Sequence, residues 1–220
     1  MTFFRQIFGA ALIVLCMTAP AFAQAEADKV APAAAAPAAE MKLTPEQEAA
    51  IKSLVQGPAE VKLRDVATLA IPADMLFVPA NQAAAFLQSQ GNLHTEGVMG
   101  LVVPKDEKQV WFVVAEYDDN GFIKDADGDK FNADEILEGM KEGVKEGNEE
   151  RAKLGHPSME VVGWIQKPAY DKEKRQLVWS VSARDVPAPG QPAMDPDENS
   201  VNYNTFTLGR AGFISLNLVS

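Results

Sequence analysis

From Met159 to Val219 the chain reads as four strands in succession: "MEVVGWIQ", "QLVWSVSA", "SVNYNTFTL" and "GFISLNLV". β-Branched and aromatic residues dominate each run, and turn-forming residues bound it. "PAYDKEKR" is a hairpin connection between the first two, and "PAPGQPAMDPDENS" is a loop too rich in proline to be a strand interior. Upstream, "VKL" and "ATLAI" alternate around Arg64-Asp65, and "MLFV" follows Pro72. "VMGLVV" and "QVWFVVAEY" are strands separated by Pro104 to Lys108, the first apolar throughout, as a strand buried on both faces would be. Helical patterns interrupt these runs. In "TPEQEAAIKSLVQG", Thr44 can cap, Pro45 suits the first helical position, Gln47 completes a capping-box spacing and Gly57 suits the stop. Ile51, Leu54 and Val55 make its apolar face. Pro79 opens a second helix that ends at Gly91, and Asn132 caps a long one that runs to Leu154 before Gly155. Strand runs broken by two or three helices specify an α+β fold with a mostly antiparallel sheet, the long helix packed closely on it.

The N-terminus has another composition. Residues 1–23 carry one cation, Arg5, and no acid; Ile7 to Met17 is apolar, and Ala21 and Ala23 flank Phe22. This is the pattern of a signal peptide cleaved after Ala23, too short to span hydrocarbon. Residues 24–43 are mostly Ala, Pro and charge and are expected to be a flexible tether, with residues 44–220 forming one domain. Cys16, the only cysteine, lies in the signal, which removes disulfides, thiolate nucleophiles and cysteine-based metal sites from the mature chain. The net charge of −11 loses Arg5 with the signal and becomes −12. Such a surface repels nucleic acid and anionic lipid, and admits divalent cations and basic partners.

Between Asp118 and Leu137 the segment "DDNGFIKDADGDKFNADEIL" holds seven carboxylates. An EF-hand register begun at Asp125 fails: Lys130 stands where the loop needs Gly, and Ile136 where it needs Glu. Asn120-Gly121 is a hairpin signal, and Asn132 with Glu135 makes a capping pair whose first turn, with Asp134, complements the helix dipole. Asp119, Asp125, Asp127 and Asp129 stay open as ligands of a weak, non-EF Ca2+ site; the other reading is a solvated acidic turn. No other cofactor is indicated.

Gly139, Gly143 and Gly147 recur at every fourth position in the long helix, within the stripe of Ile136, Met140, Val144 and Leu154. Helical glycines cost about 1 kcal/mol each against alanine, so a compensation is expected. One is close packing against strand side chains such as Trp111, Trp164 or Trp179; the other is a docking groove for a partner. Asn202, Tyr203 and Asn204 put polar groups on both faces of a strand, as an edge strand or the lining of a binding cleft would. His94 and His156 have no metal-ligand neighbours at helical or hairpin spacing and are read as structural or surface residues. No nucleophile, phosphate-loop or dinucleotide motif is present, and no catalytic residue is assigned.

The strings "GPAEVKLRDVATLAIP", "WFVVAEYDDNGFIKDAD", "NEERAKLG", "VVGWIQKPAYD", "LVWSV" and "SVNYNTFTLGRAGFISLNLV" occur in this order. Over Gly57 to Val219 the chain resembles an uncharacterised bacterial family of membrane-anchored, signal-bearing envelope proteins, a domain of unknown function. The resemblance implies residence in the periplasm or on the periplasmic side of a membrane, and an unknown envelope protein as partner. Members continue into apolar C-terminal segments, whereas this chain stops at Ser220. Membrane association is thus expected only with an uncleaved signal or an anchor missing from this chain. The leading expectation is a non-catalytic binding or interaction module. The alternatives are a carboxylate-dependent hydrolase of envelope glycan or peptide, and a weakly calcium-stabilised structural domain.

Overall fold

A computed structural model describes residues 45–125, 132–187, 190, 195 and 199–220. The signal and tether expected at 1–43, and the Thr44 cap, lie outside these. The elements are α1 (Pro45–Ser53), β1 (Val55–Gln56), β2 (Ala59–Leu63), β3 (Ala67–Ile71), β4 (Met75–Pro79), α2 (Ala80–Ser89), β5 (Val98–Pro104), β6 (Phe112–Asp118), α3 (Ala133–Lys153), β7 (Met159–Asp171), β8 (Gln176–Asp185), β9 (Ser200–Leu208) and β10 (Phe213–Val219). The fold is α+β. An eight-stranded sheet runs β1-β4-β5-β6-β10-β9-β8-β7, and β2 and β3 form a separate pair. Every pairing is antiparallel.

Period two sorts the side chains of β6 and β10 onto two faces. Phe112 and Val114 join Ala83 and Leu87 of α2 and Val219 of β10 in one cluster. Phe213, of the same parity as Val219, joins Ile136, Met140 and Val144 of α3 in a second, with Leu177, Trp179 and Phe206. Both helices therefore cover one face of the sheet. The β2–β3 pair covers part of the other, where Leu63 and Ile71 meet Phe77, Val102 and Ala115. The centre of the α3 cluster is aromatic: Trp179 stands edge-on to Phe206 at 4.4 Å between centroids, and Phe206 stacks on Phe213 at 4.6 Å.

The ends of α3 follow from local chemistry. Asn132 Oδ1 accepts from the Asp134 and Glu135 amides at 3.2 and 3.3 Å, and its Nδ2 donates to Glu135 Oε1 at 2.7 Å. At the other end Gly155 takes φ +81°, the left-handed turn that lets the His156 amide return to the Arg151 carbonyl at 2.9 Å.

Four local expectations change. The first helix ends at Ser53, because Val55 and Gln56 pair with β4, and Ile51 of its expected apolar face is exposed. Asn120-Gly121 turns without returning a strand: Gly121 has φ +79°, the Asn120 amide donates to Asp118 Oδ1, and β6 already has β5 and β10 on its two sides. "PAY" of "PAYDKEKR" extends β7, which tolerates Pro168 because it is an edge strand with three register shifts against β8. β9, by contrast, is interior, between β8 and β10.

Candidate functional site

α3 turns about 100° per residue, which places Ile136, Met140, Val144 and Arg151 on one buried stripe and the glycines along its flank. The apolar side chains meet the sheet, so they hold the helix backbone off it. A Cβ built on Gly139 or Gly143 would meet nothing within 4 Å, and one on Gly147 would meet only Leu93 Cδ1, at 3.8 Å. The close approach to Trp111, Trp164 or Trp179 is therefore not what the glycines serve. They form an open edge.

That edge bounds a cleft of about 1510 Å3. Gly143, Gly147 and Arg151 line one side, the segment from Gly91 to Gly97 another, and Glu116 to Asn120 with Ser215 the end of the sheet. Gly91, at φ +84°, is needed where it stands: a Cβ there would crowd Arg151 Nη1 and the His156 ring, each at 2.8 Å.

Glu116 shares its parity with Phe112 and Val114, so the strand directs it to the helix-bearing face with only 9 % of its surface exposed. Burial, then the charges of Asp118 and Glu96, push its carboxyl up to about 7. Asp118 is raised too, by burial and then Asp119, against the opposing hydrogen bond from the Asn120 amide. The cleft's arginines do not balance them. Arg151, buried, donates Nε to the Pro157 carbonyl at 3.0 Å and Nη1 to that of Gly91 at 2.8 Å. Arg64 Nη2 donates to the Glu96 and Val98 carbonyls at 3.0 and 3.5 Å. Among the described residues, no cation forms an ion pair with Glu96, Glu116 or Asp118.

The residues singled out by sequence scatter across the molecule. Gly143 and Gly147 line the cleft, with Gly139 exposed beyond its N-terminal end. Asp119 is in the cleft wall, whereas Asp125 accepts a hydrogen bond from Tyr170 and pairs with Arg175 at 3.6 Å. The Tyr170 bond is the main reason the Asp125 carboxyl is held below its usual range; burial and that bond push the phenol up to about 12. Asp127 and Asp129 lie outside the described residues. Among the described residues no three His, Cys, Asp or Glu side chains are grouped to hold a metal. Asn202 and Asn204 are buried on the helix-bearing face, while Tyr203 faces the opposite side, so the three share no surface. His94 and His156, read as structural or surface residues, both line the cleft.

The family described as "Protein of unknown function (DUF2167)" matches residues 55–220. The chain belongs to this family. The DUF2167 match begins at β1 and takes in both walls of the cleft. No curated protein matches the chain. Among solved structures, this DUF2167 domain is similar to cyanobacterial PsbP (CyanoP) from Synechocystis sp. PCC 6803, at 12 % identity over 70 % of this chain and 73 % of that one, with a TM-score of 0.39. No helix among the described residues is long and apolar enough to cross a membrane.

Glu116 is the residue that motif reading passed over. Its signal was present in "FVVAEYD": a carboxylate at the inward parity of a strand is out of place unless something there uses it.

Proposed function

We propose that this protein is an exported, non-catalytic binding module of the bacterial envelope, and that the cleft beside the glycine edge of α3 receives its partner. One observation carries the reading: Glu116 is nine-tenths buried, lines a large cleft and has no described partner. A carboxylate largely withdrawn from water is costly without a counter-charge, so one that opens only onto a cavity marks a place for a ligand atom. The cleft also exceeds the roughly 300–1,000 Å3 of small-molecule pockets, which suits a segment of another chain. Export rests on the signal pattern of residues 1–23.

Two measurements test this. Fractionation of a bacterial host with N-terminal sequencing should recover the protein outside the cytoplasm, beginning at Gln24. A photo-crosslinking residue at Gly143 should yield discrete adducts in the envelope, and the same residue at Tyr203, on the opposite face, should not. Equal adducts from both positions, or none, defeats the assignment of the cleft.

A carboxylate-dependent hydrolase is the second reading. It is favoured by a Glu116 carboxyl that titrates near neutrality, where a general acid or base is most effective. The tryptophans that would stack a sugar stand elsewhere: Trp179 is buried in the aromatic core, Trp164 donates to the Ala133 carbonyl and Trp111 to Gln109. Turnover of envelope glycan or peptide that disappears in Glu116→Gln would establish this reading over the first.

A further inference from the structure

We propose that the cleft takes a protonated amine, with Glu116 as its buried anchor and Asp118 and Glu96 as flanking anions. This rests on the cleft being the binding site. Charge balance carries it. Glu96, Glu116, Asp118 and Asp119 gather at one end of the cleft, and the two arginines in its wall direct donors to backbone carbonyls instead. The other titratable groups that line the cleft are Glu146, Glu150, Tyr117, His94 and His156. A carboxylate largely withdrawn from water is stable only when paired or protonated, and among the described residues no cation forms an ion pair with Glu116. A ligand ammonium would supply the missing charge, and its hydrogen bond would be of the charge-assisted, stronger kind. Among the described residues no three of the carboxylates are close enough to hold a metal ion, and the cleft has room for an organic cation. The glycine edge serves the same end, since at Gly143 no side chain stands between a ligand's chain and the helix backbone. The elevated Glu116 pKa agrees with this: burial and then like charges oppose its ionisation, and the opposite charge of a bound cation would offset them.

The source of the amine, a lysine side chain of a partner or a free polyamine, is separated by the probes. The exported protein is titrated with the N-acetylated, C-amidated peptide Ala-Ala-Lys-Ala-Ala, with its equally blocked norleucine analogue and with spermidine, following amide shifts and heat. We expect the lysine peptide to shift Gly143, Gly147 and Ser215, the norleucine peptide to leave them in place, and added salt to weaken binding. Glu116→Gln should lower affinity about tenfold or more, the size of one hydrogen bond to a charged group. Asp118→Asn provides a second variant, and melting curves confirm that both are folded. Binding of spermidine but not the peptide assigns the site to a polyamine. Equal shifts from the norleucine peptide, or full affinity in Glu116→Gln, overturn the amine. If neither cation moves a cleft amide while Gly143 still crosslinks, the amine fails and the binding site survives; if crosslinks are lost too, both fail.

Discussion

At the scale of single residues, a carboxyl held at about 7 in the fold and near 4.5 when unfolded makes stability depend on pH. Between these values the folded chain binds the proton that the unfolded chain has released. The stabilising contribution is therefore complete below about 4.5 and is lost as pH rises through about 7. The loss is on the order of 3 kcal/mol at one pH unit per 1.36 kcal/mol. Denaturation of wild type and Glu116→Gln should show the variant more stable at pH 8 and the two nearly equal near pH 4.5; a gap that ignores pH would place the carboxyl in solvent. Gly100 makes a different residue-scale prediction. A Cβ there would overlap the Phe77 ring and sit 2.7 Å from the Val78 carbonyl. Gly100→Ala should destabilise by about 1–3 kcal/mol, as overpacking does, read from the shift in denaturation midpoint. Neither residue stood out by motif, since Glu116 matters through parity and Gly100 through a neighbour on another strand.

At the scale of elements, α3 combines a strong start with a weak interior. Asn132→Ala removes an oxygen shared by two amides and should cost about 1 kcal/mol. Gly139→Ala and Gly143→Ala should each raise stability by about 1 kcal/mol, because the added methyl meets nothing; thermal melts read both. If Gly143→Ala instead destabilises, the cleft wall is closer than the geometry places it. Caps, turns and periodicity made most elements legible in the sequence, α3 with its Asn132 cap above all. Strand partners were not legible. Val55-Gln56 became β1 only because β4 lies beside it, and β9 became interior only because β10 returns along it. Helical phase put the glycines beside Ile136, Met140 and Val144, but whether they faced sheet or space depended on how far those side chains hold α3 away.

At the scale of the whole molecule, β10 connects the two helix-covered clusters, contributing Phe213 to one and Val219 to the other. The halves should unfold together. Trp179→Ala, at the aromatic centre, should cost about 3–5 kcal/mol, and far-UV circular dichroism and the fluorescence of the remaining tryptophans should report one coincident transition. Non-coincident curves would show the halves to be separable. The α+β class was legible from the order of runs. The cleft was not, because its walls come from chain segments as far apart as Gly91 and Ser215, which only the sheet order brings to one end.

The sheet's two borders bear on how this protein avoids aggregation. An open border offers unpaired amides and carbonyls on which another chain can grow as an added strand. One border is β1, only two residues long. The other is β7, long enough to act as a template, but it breaks register three times and carries Pro168, which has no amide to offer, beside Lys167. Neither border suits strand-by-strand growth between copies, so even crowded chains should stay separate.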